Sequence, residues 1–200
     1  MTKRVYQIKI TLKDIDPPVW RRIIVPDSYS FWDLHCAIQD ALGWWDYHLH
    51  EFRIPLKALG IVERIGLPFD DDFDDEPGPK PGWQLRISDY LMEVGERMEY
   101  EYDFGDCWRH EILLEGILLR EKGQKYPQCI GGERACPPED CGGVSGYYNL
   151  LEIMADSKHQ EYKDTVCWLG EPFDLEHFNP EEVKFTRPGS RLNRLFRENS

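Results

Sequence analysis

The chain contains 200 residues, of which 41% are hydrophobic and 13% aromatic, a composition typical of one folded globular domain. Its 37 acidic and 24 basic side chains give a formal net charge of −13. Nucleic acid is bound mainly through positive side chains that neutralise phosphates, so this charge argues against nucleic acid as a partner and favours cationic partners.

The first quarter of the chain has the pattern of two strands, a helix and a third strand. Residues 5–12 and 19–25 alternate polar and apolar side chains, which predicts two paired antiparallel strands. Ser30 and Gly43 enclose a stretch of helical periodicity, as a helix N-cap and a C-terminal glycine do. Residues 47–54 alternate again and predict the third strand.

Residues 66–82 are predicted to form an exposed loop, because a run of acidic residues at 70–76 is followed by prolines at 77, 79 and 81. A calcium site is the alternative for the acidic run. The run lacks the glycine-bearing twelve-residue spacing of an EF-hand, so the exposed loop is favoured.

Residues 97–102 and 108–119 are apolar and aromatic runs that predict a long hairpin. The five residues between them, Asp-Phe-Gly-Asp-Cys at 103–107, are typical of its turn, since aspartate and glycine favour tight turns.

The segment 126–147 contains three cysteines, three prolines and five glycines, which predicts an irregular loop without helix or strand. Residues 147–155 and 159–169 then show helical spacing, and four arginines in 187–200 indicate a basic, solvated C-terminal tail. The predicted fold is therefore one α+β domain with an antiparallel sheet, packed helices and this cysteine-rich loop.

These motifs resemble the plasmid pRiA4b ORF-3-like family, whose members are also described as insertion-element passenger or resolvase-like proteins. The motifs that carry the resemblance are residues 15–22 (Ile-Asp-Pro-Pro-Val-Trp-Arg-Arg), 100–106 with Trp108 and His110, 127–147, 168–171, and Phe173-Asp174. The resemblance extends over residues 3–186 and implies a single α+β domain there, with no established activity. Two departures concern cysteines: the family usually has glycine at position 107, and its position 141 varies between cysteine and an apolar residue. The chain shows no recombinase serine motif.

Cys129, Cys136 and Cys141 form the first candidate site, a zinc centre. Structural zinc takes four thiolate or imidazole ligands, usually including a close pair, and only Cys136 and Cys141 have that spacing. His110 or Cys107 would have to supply a fourth ligand. The alternative is that the three thiols are buried as small apolar side chains in a tightly turned loop.

The second candidate site is acidic and combines Asp103, Asp106, His110, Glu139 and Asp140. If the cysteine-rich loop folds against the hairpin turn, these groups could perform acid–base catalysis or hold a divalent cation. The alternative is that the turn acids only bond their own backbone and that His110 packs inside the sheet.

Two further histidines, His48 and His50, are spaced as i and i+2 on the third predicted strand. Such a pair can chelate a metal, but a solvated strand face without further role is favoured because no third ligand lies nearby in sequence.

The chain has neither a secretory leader pattern nor a run of about 18–20 apolar residues, so we expect a cytoplasmic protein, no membrane partner and reduced cysteines. The leading hypothesis is a binding or interaction module for a protein or a small molecule. A metal-dependent hydrolase-type enzyme and an accessory protein in mobile-element DNA transactions are the alternatives, the latter resting on the arginines of the tail.

Overall fold

The computed structural model describes residues 3–56, 59–68, 78–170 and 173–198. The predicted acidic run at 70–76 lies outside these residues, and so does the calcium alternative for it. Eight strands form one sheet within them: β1 Arg4–Leu12, β2 Trp20–Pro26, β3 His50–Leu56, β4 Ile61–Gly66, β5 Lys80–Pro81, β6 Arg97–Tyr102, β7 Trp108–Leu119 and β8 Gln128–Glu133.

The strands lie in the order β5-β4-β3-β6-β7-β1-β2-β8. Neighbours are antiparallel except β4 and β5, which run parallel. Four α-helices accompany the sheet in the described residues: α1 Phe31–Leu42, α2 Gly143–Ala155, α3 Tyr162–Leu169 and α4 Pro188–Glu198. Three 3-10 turns lie at Gly82–Gln84, Ile87–Asp89 and Pro180–Glu182. The predicted α+β class and single domain are confirmed.

Helix α1 is the main cover of the sheet, and its ends are where the sequence predicted them. Ser30 and Asp33 form a capping box: each side chain accepts a hydrogen bond from the backbone N–H of the other. Gly43 ends the helix in the left-handed conformation, with φ of 81°. Nearly all of α1 is buried, and it packs with the inward residues of β1, such as Ile8 and Ile10, in one core.

The β6–β7 hairpin agrees with the prediction, since Tyr102 pairs with Trp108 across the turn. Asp103 has a positive φ of 56° and orders the turn with its side chain. Its Oδ1 accepts hydrogen bonds from the backbone N–H of Gly105 at 3.0 Å and of Asp106 at 3.3 Å.

The cysteine-rich segment is partly regular, which corrects the prediction of an irregular loop. Its first part is β8, an edge strand paired with β2 through a bulge between Arg22 and Ile23. Glycine is required there by packing: a Cβ at Gly132 would lie 2.4 Å from the ring of Phe178. Gly132 is therefore needed for the strand, although the glycine content of the segment favoured an irregular loop.

The C-terminal segment is also more ordered than predicted. Three of its four arginines lie on α4, which packs on α1 instead of fraying in solvent. Trp32 Nε1 donates to the carbonyl of Pro188 at 3.0 Å, and Arg191 bonds Asp40 at 2.5 Å. The prediction of a solvated tail was wrong because it considered the charge of the arginines and not the partner that Asp40 on α1 offers to Arg191.

Candidate functional site

The cysteine-rich loop folds against the turn of the β6–β7 hairpin. The backbone N–H of Gly142 donates to Asp106 Oδ2 at 3.1 Å. The loop and the turn approach so closely that a Cβ at Gly143 would lie 2.4 Å from the carbonyl oxygen of Asp106. Gly143 also has a positive φ of 66°, so two independent constraints require glycine at this position. The structure thus brings the two predicted segments together.

Glu139 fixes the middle of the loop with both carboxylate oxygens. Tyr102 donates its hydroxyl hydrogen to Oε1 at 2.5 Å, and the backbone N–H of Trp45 donates to Oε2 at 2.6 Å. Burial and the bond to Glu139 raise the pKa of Tyr102, so the phenol stays a donor at neutral pH. Beside this contact, Trp44 Nε1 donates to the carbonyl of Pro137 at 2.8 Å. Glu139 therefore serves as an anchor between loop and sheet.

His48 lies between two of the other predicted carboxylates, those of Asp103 and Asp140. Its Nε2 is 3.0 Å from Asp140 Oδ1 and 3.6 Å from Asp103 Oδ2. The three side chains come from three different segments: the connection after α1, the hairpin turn and the cysteine-rich loop. His48 precedes β3 instead of lying within it, so the predicted strand began too early.

His110 does not join these groups. It is fully buried in β7, where its Nδ1 lies 3.3 Å from the carbonyl oxygen of Tyr100 and its ring packs edge-on against Trp44. Burial lowers the pKa of His110 to about 4. None of its contacts within the described residues is with Asp103, Asp106, Glu139 or Asp140. Its catalytic role stays a prediction without support from the geometry.

The three cysteines of the zinc prediction do not converge. Among the described residues, two clusters offer three or more potential ligand atoms within 4.8 Å of one another, and neither contains a cysteine. Burial raises the pKa of Cys136 and of Cys141 to about 12, and burial also raises the pKa of Cys129. All three are free thiols that pack against the hydrophobic core. Zinc binding by this set remains a prediction.

A buried histidine pair was not predicted from the sequence. His35 and His50 stack with ring centroids 3.4 Å apart, and His35 lies between Tyr100 at 2.8 Å and Asp46 at 2.7 Å. His50 is fully buried, so the predicted solvated face was wrong for it. Burial and the neighbouring His35 hold the pKa of His50 well below its ordinary value. The strand alternation does indicate this burial, because His50 lies two residues before apolar Phe52 and therefore on the same strand face.

A cleft of about 550 Å³ opens beside the anchored loop, between the end of α1 and α3. Trp45, Tyr47 and Trp168 on its walls are 73%, 74% and 52% exposed. We call this the aromatic cleft; its lining includes Trp44, Trp45, Tyr47, Glu139, Asp140, Trp168, Phe173 and Asp174. No lysine or arginine lines it in the described part of the chain. It is therefore an acidic cleft with aromatic walls.

The walls of the aromatic cleft are held differently. The wall next to α1 is fixed by the hydrogen bonds of Trp44 and Trp45 to the loop. The opposite wall is α3, which contains no fully buried residue and packs on α2. Local stability therefore differs across the cleft.

The comparison with known proteins identifies the family. The sequence profile described as plasmid pRiA4b ORF-3-like protein matches residues 4–182. The chain belongs to this family. The resemblance inferred from the motifs is thus confirmed, and residues 4–182 include every predicted site residue.

Two relatives of this family member have names that state no activity. Uncharacterized protein y4hQ of Sinorhizobium fredii (strain NBRC 101917 / NGR234) is 34% identical over 171 residues, which are 85% of this chain and 83% of that protein. The crystal structure of a protein of unknown function, MM3350 from Methanosarcina mazei Go1, is 44% identical with a TM-score of 0.81 and covers 92% of this chain and 100% of that chain.

None of the helices in the described residues has the length and apolar composition that a bilayer-spanning segment requires.

Proposed function

We propose that this chain is a binding domain and that the aromatic cleft receives an arginine side chain of a protein partner. The observation that carries the proposal is the combination of exposed aromatic rings with carboxylates in a cleft without a lining lysine or arginine. Such a cleft attracts cations, and a planar guanidinium can both stack on rings and bond carboxylates.

The exposed rings support the stacking part of the proposal. Trp45, Tyr47 and Trp168 each expose more than half of their surface while lining the same concave space. Single exposed apolar residues are ordinary, but a contiguous group in a concavity is typical of a binding site. Tryptophan is also the aromatic residue that attracts cations most strongly.

The carboxylates support the charge part. Glu139 has both oxygens occupied by protein donors, which leaves Asp140 and Asp174 as the acidic groups with exposed surface on the cleft. Asp174 Oδ1 accepts the backbone N–H of Glu176 at 3.1 Å, so its carboxylate is oriented by the chain itself. The net charge of −13 adds a long-range attraction for cationic partners.

The two alternatives from the sequence have less support. A hydrolase built on His110 requires an imidazole that reaches the carboxylates, whereas His110 lies buried between Tyr100 and Trp44. A DNA accessory role rested on free arginines in the C-terminal segment, but Arg191 pairs with Asp40 and Asp46.

The proposal is tested by calorimetric titration of the full chain with two short peptides, one with a central arginine and one with neutral citrulline in its place. We expect the arginine peptide to bind at least about tenfold more tightly. In Trp168→Ala the preference is expected to fall by roughly three- to tenfold, the range of a cation–π contact. Equal affinity for both peptides would contradict the proposal.

A matched control separates the cleft from general attraction to an acidic surface. Glu152 is exposed on α2 and does not line the cleft. Glu152→Gln and Asp174→Asn remove the same charge, but we expect only Asp174→Asn to weaken binding of the arginine peptide. Similar losses in both variants would mean that binding is not localised.

A further inference from the structure

We propose that His48, Asp103 and Asp140 bind one divalent transition-metal cation at the edge of the aromatic cleft. The three side chains offer one imidazole nitrogen and two carboxylate oxygens, all within 4.8 Å of one another. They come from three separate segments of the chain, so their convergence is a product of the fold. This site shares Asp140 with the proposed arginine recognition, whereas His48 and Asp103 are not among the residues that line the cleft.

The distances fit a cation with short ligand bonds. Two ligand atoms bound at about 2.1 Å and about 90–110° apart lie roughly 3.0–3.4 Å from each other. His48 Nε2 lies 3.0 Å from Asp140 Oδ1 and 3.6 Å from Asp103 Oδ2. Small side-chain adjustments would therefore complete the ligand set.

The imidazole supplies a second observation. His48 Nε2 is a buried atom, and it makes no hydrogen bond of acceptable geometry within the described residues although two carboxylates face it. A buried nitrogen without a hydrogen bond is energetically unfavourable. A cation between the nitrogen and the two oxygens would satisfy all three groups at once.

The surroundings favour a cation over a structural ion pair with arginine or lysine. Neither Asp103 nor Asp140 forms an ion pair with a lysine or arginine anywhere in the described ranges. Asp103 is oriented by the Gly105 and Asp106 amides, which bond its other oxygen, an arrangement that metal-binding carboxylates commonly have. Asp140 has a side chain 63% exposed, which leaves an open direction for water or a ligand.

The ligand types select the class of metal. One imidazole and two carboxylates with open positions suit Mn²⁺, Fe²⁺ or Zn²⁺, whereas Ca²⁺ and Mg²⁺ prefer oxygen ligands alone. Mn²⁺ is the most useful probe because it binds thiolates weakly, so the cysteines nearby do not compete for it.

The test uses the full chain after treatment with a chelator. Mn²⁺ binding is followed by electron paramagnetic resonance. Zn²⁺ binding is followed by calorimetry in a chain that carries Cys107→Ser, because Cys107 is exposed in the same turn as Asp103 and could bind Zn²⁺ itself. We expect one equivalent of Mn²⁺ at pH 7.5 and weaker binding at pH 5.5, since protons compete for the imidazole. His48→Gln and Asp140→Asn are each expected to weaken Mn²⁺ binding at least tenfold.

Two control variants show whether Mn²⁺ binds at the proposed site. His159 is another partly exposed histidine outside the cluster, so His159→Gln should bind Mn²⁺ like the unaltered chain. Trp168→Ala should also retain Mn²⁺ binding, whereas His48→Gln should retain the preference for the arginine peptide; the two proposals can therefore fail separately. Absence of a saturable Mn²⁺ equivalent, or unchanged affinity in both His48→Gln and Asp140→Asn, would overturn the metal site.

Discussion

The hydroxyl group of Tyr102 donates to the Glu139 carboxylate at 2.5 Å, joining the last residue of β6 to the centre of the cysteine-rich loop. The other oxygen of Glu139 accepts the Trp45 amide, so one side chain connects the sheet, the loop and the chain after α1. The loop and the chain after α1 supply Asp140 and His48 of the proposed metal site, and Asp103 directly follows Tyr102. The same two segments form one wall of the aromatic cleft.

Glu139→Gln is expected to lower the free energy of unfolding by about 2 kcal/mol, because a charged acceptor of two hydrogen bonds is replaced by a neutral amide. Urea unfolding followed by tryptophan fluorescence measures the change. Glu152→Gln, on the exposed side of α2, should change it by less than about 0.5 kcal/mol. A Glu139→Gln variant as stable as the unaltered chain would show that the anchor contributes little.

Acid should destabilise the fold through His110. Burial lowers its pKa in the folded state to about 4 from the ordinary 6.5, so the unfolded chain binds more protons between these values. The free energy of unfolding is therefore highest above pH 6.5. As the pH falls toward 4, it decreases by about 3 kcal/mol because of His110.

The pH dependence is checked by comparing unfolding free energies at pH 7 and pH 4.5 in the unaltered chain and in His110→Gln. The decrease on acidification should be smaller in His110→Gln, which has no titrating group at this position, even if that variant is less stable at both pH values. His159→Gln should keep the full decrease. An equal decrease in all three proteins would contradict the assignment to His110.

Thiol reactivity should divide the cysteines by burial. Cys107 and Cys167 are exposed, whereas Cys36 is buried and burial raises the pKa of Cys136 to about 12. Because the thiolate is the reactive form, we expect two fast equivalents with a disulfide reagent at pH 8 and reaction of Cys36 and Cys136 only after denaturation.

The same experiment tests the predicted zinc centre. A metal held by Cys129, Cys136 and Cys141 would protect them, so a chelator would speed their labelling. Unchanged rates after chelation would remove this prediction, and Cys107→Ser should abolish one fast equivalent in either case.

Arg191 is expected to hold α4 on α1. It bonds Asp40 at 2.5 Å and lies 3.4 Å from Asp46, and both carboxylates are largely buried. Arg191→Ala would leave these charges without their cation and should lower the unfolding free energy by about 2 kcal/mol. Arg194→Ala, on the exposed face of the same helix, is the matched control and should stay within about 0.5 kcal/mol. Similar stability of the two variants would mean that the pair is not important for docking.

Local sequence signals were sufficient for elements whose ends depend on their own residues. Ser30 and Gly43 predicted the limits of α1, and the turn residues 103–107 placed the hairpin within its observed bounds. In both cases the hydrogen bonds that end the element are made by nearby side chains, so the pattern contains the information.

Elements that depend on distant partners were not predictable in this way. β8 exists because β2 offers an edge for pairing, and β5 pairs with β4 within a segment predicted as loop. The predicted site was incomplete for the same reason. The contact between the cysteine-rich loop and the hairpin turn could be anticipated, but the placement of His48 between Asp103 and Asp140 follows only from three-dimensional folding.

The unequal packing of the two cleft walls has a consequence for affinity. Because helix α3 contributes no fully buried residue to the interior, we expect it to move on its contact with α2 more readily than the wall next to α1 moves. An occupant that touched Trp45 and Trp168 together would restrain this movement and lose part of its affinity to the ordering of the helix. Changes that rigidify α3 alone, far from the occupant, would then tighten binding without adding any contact.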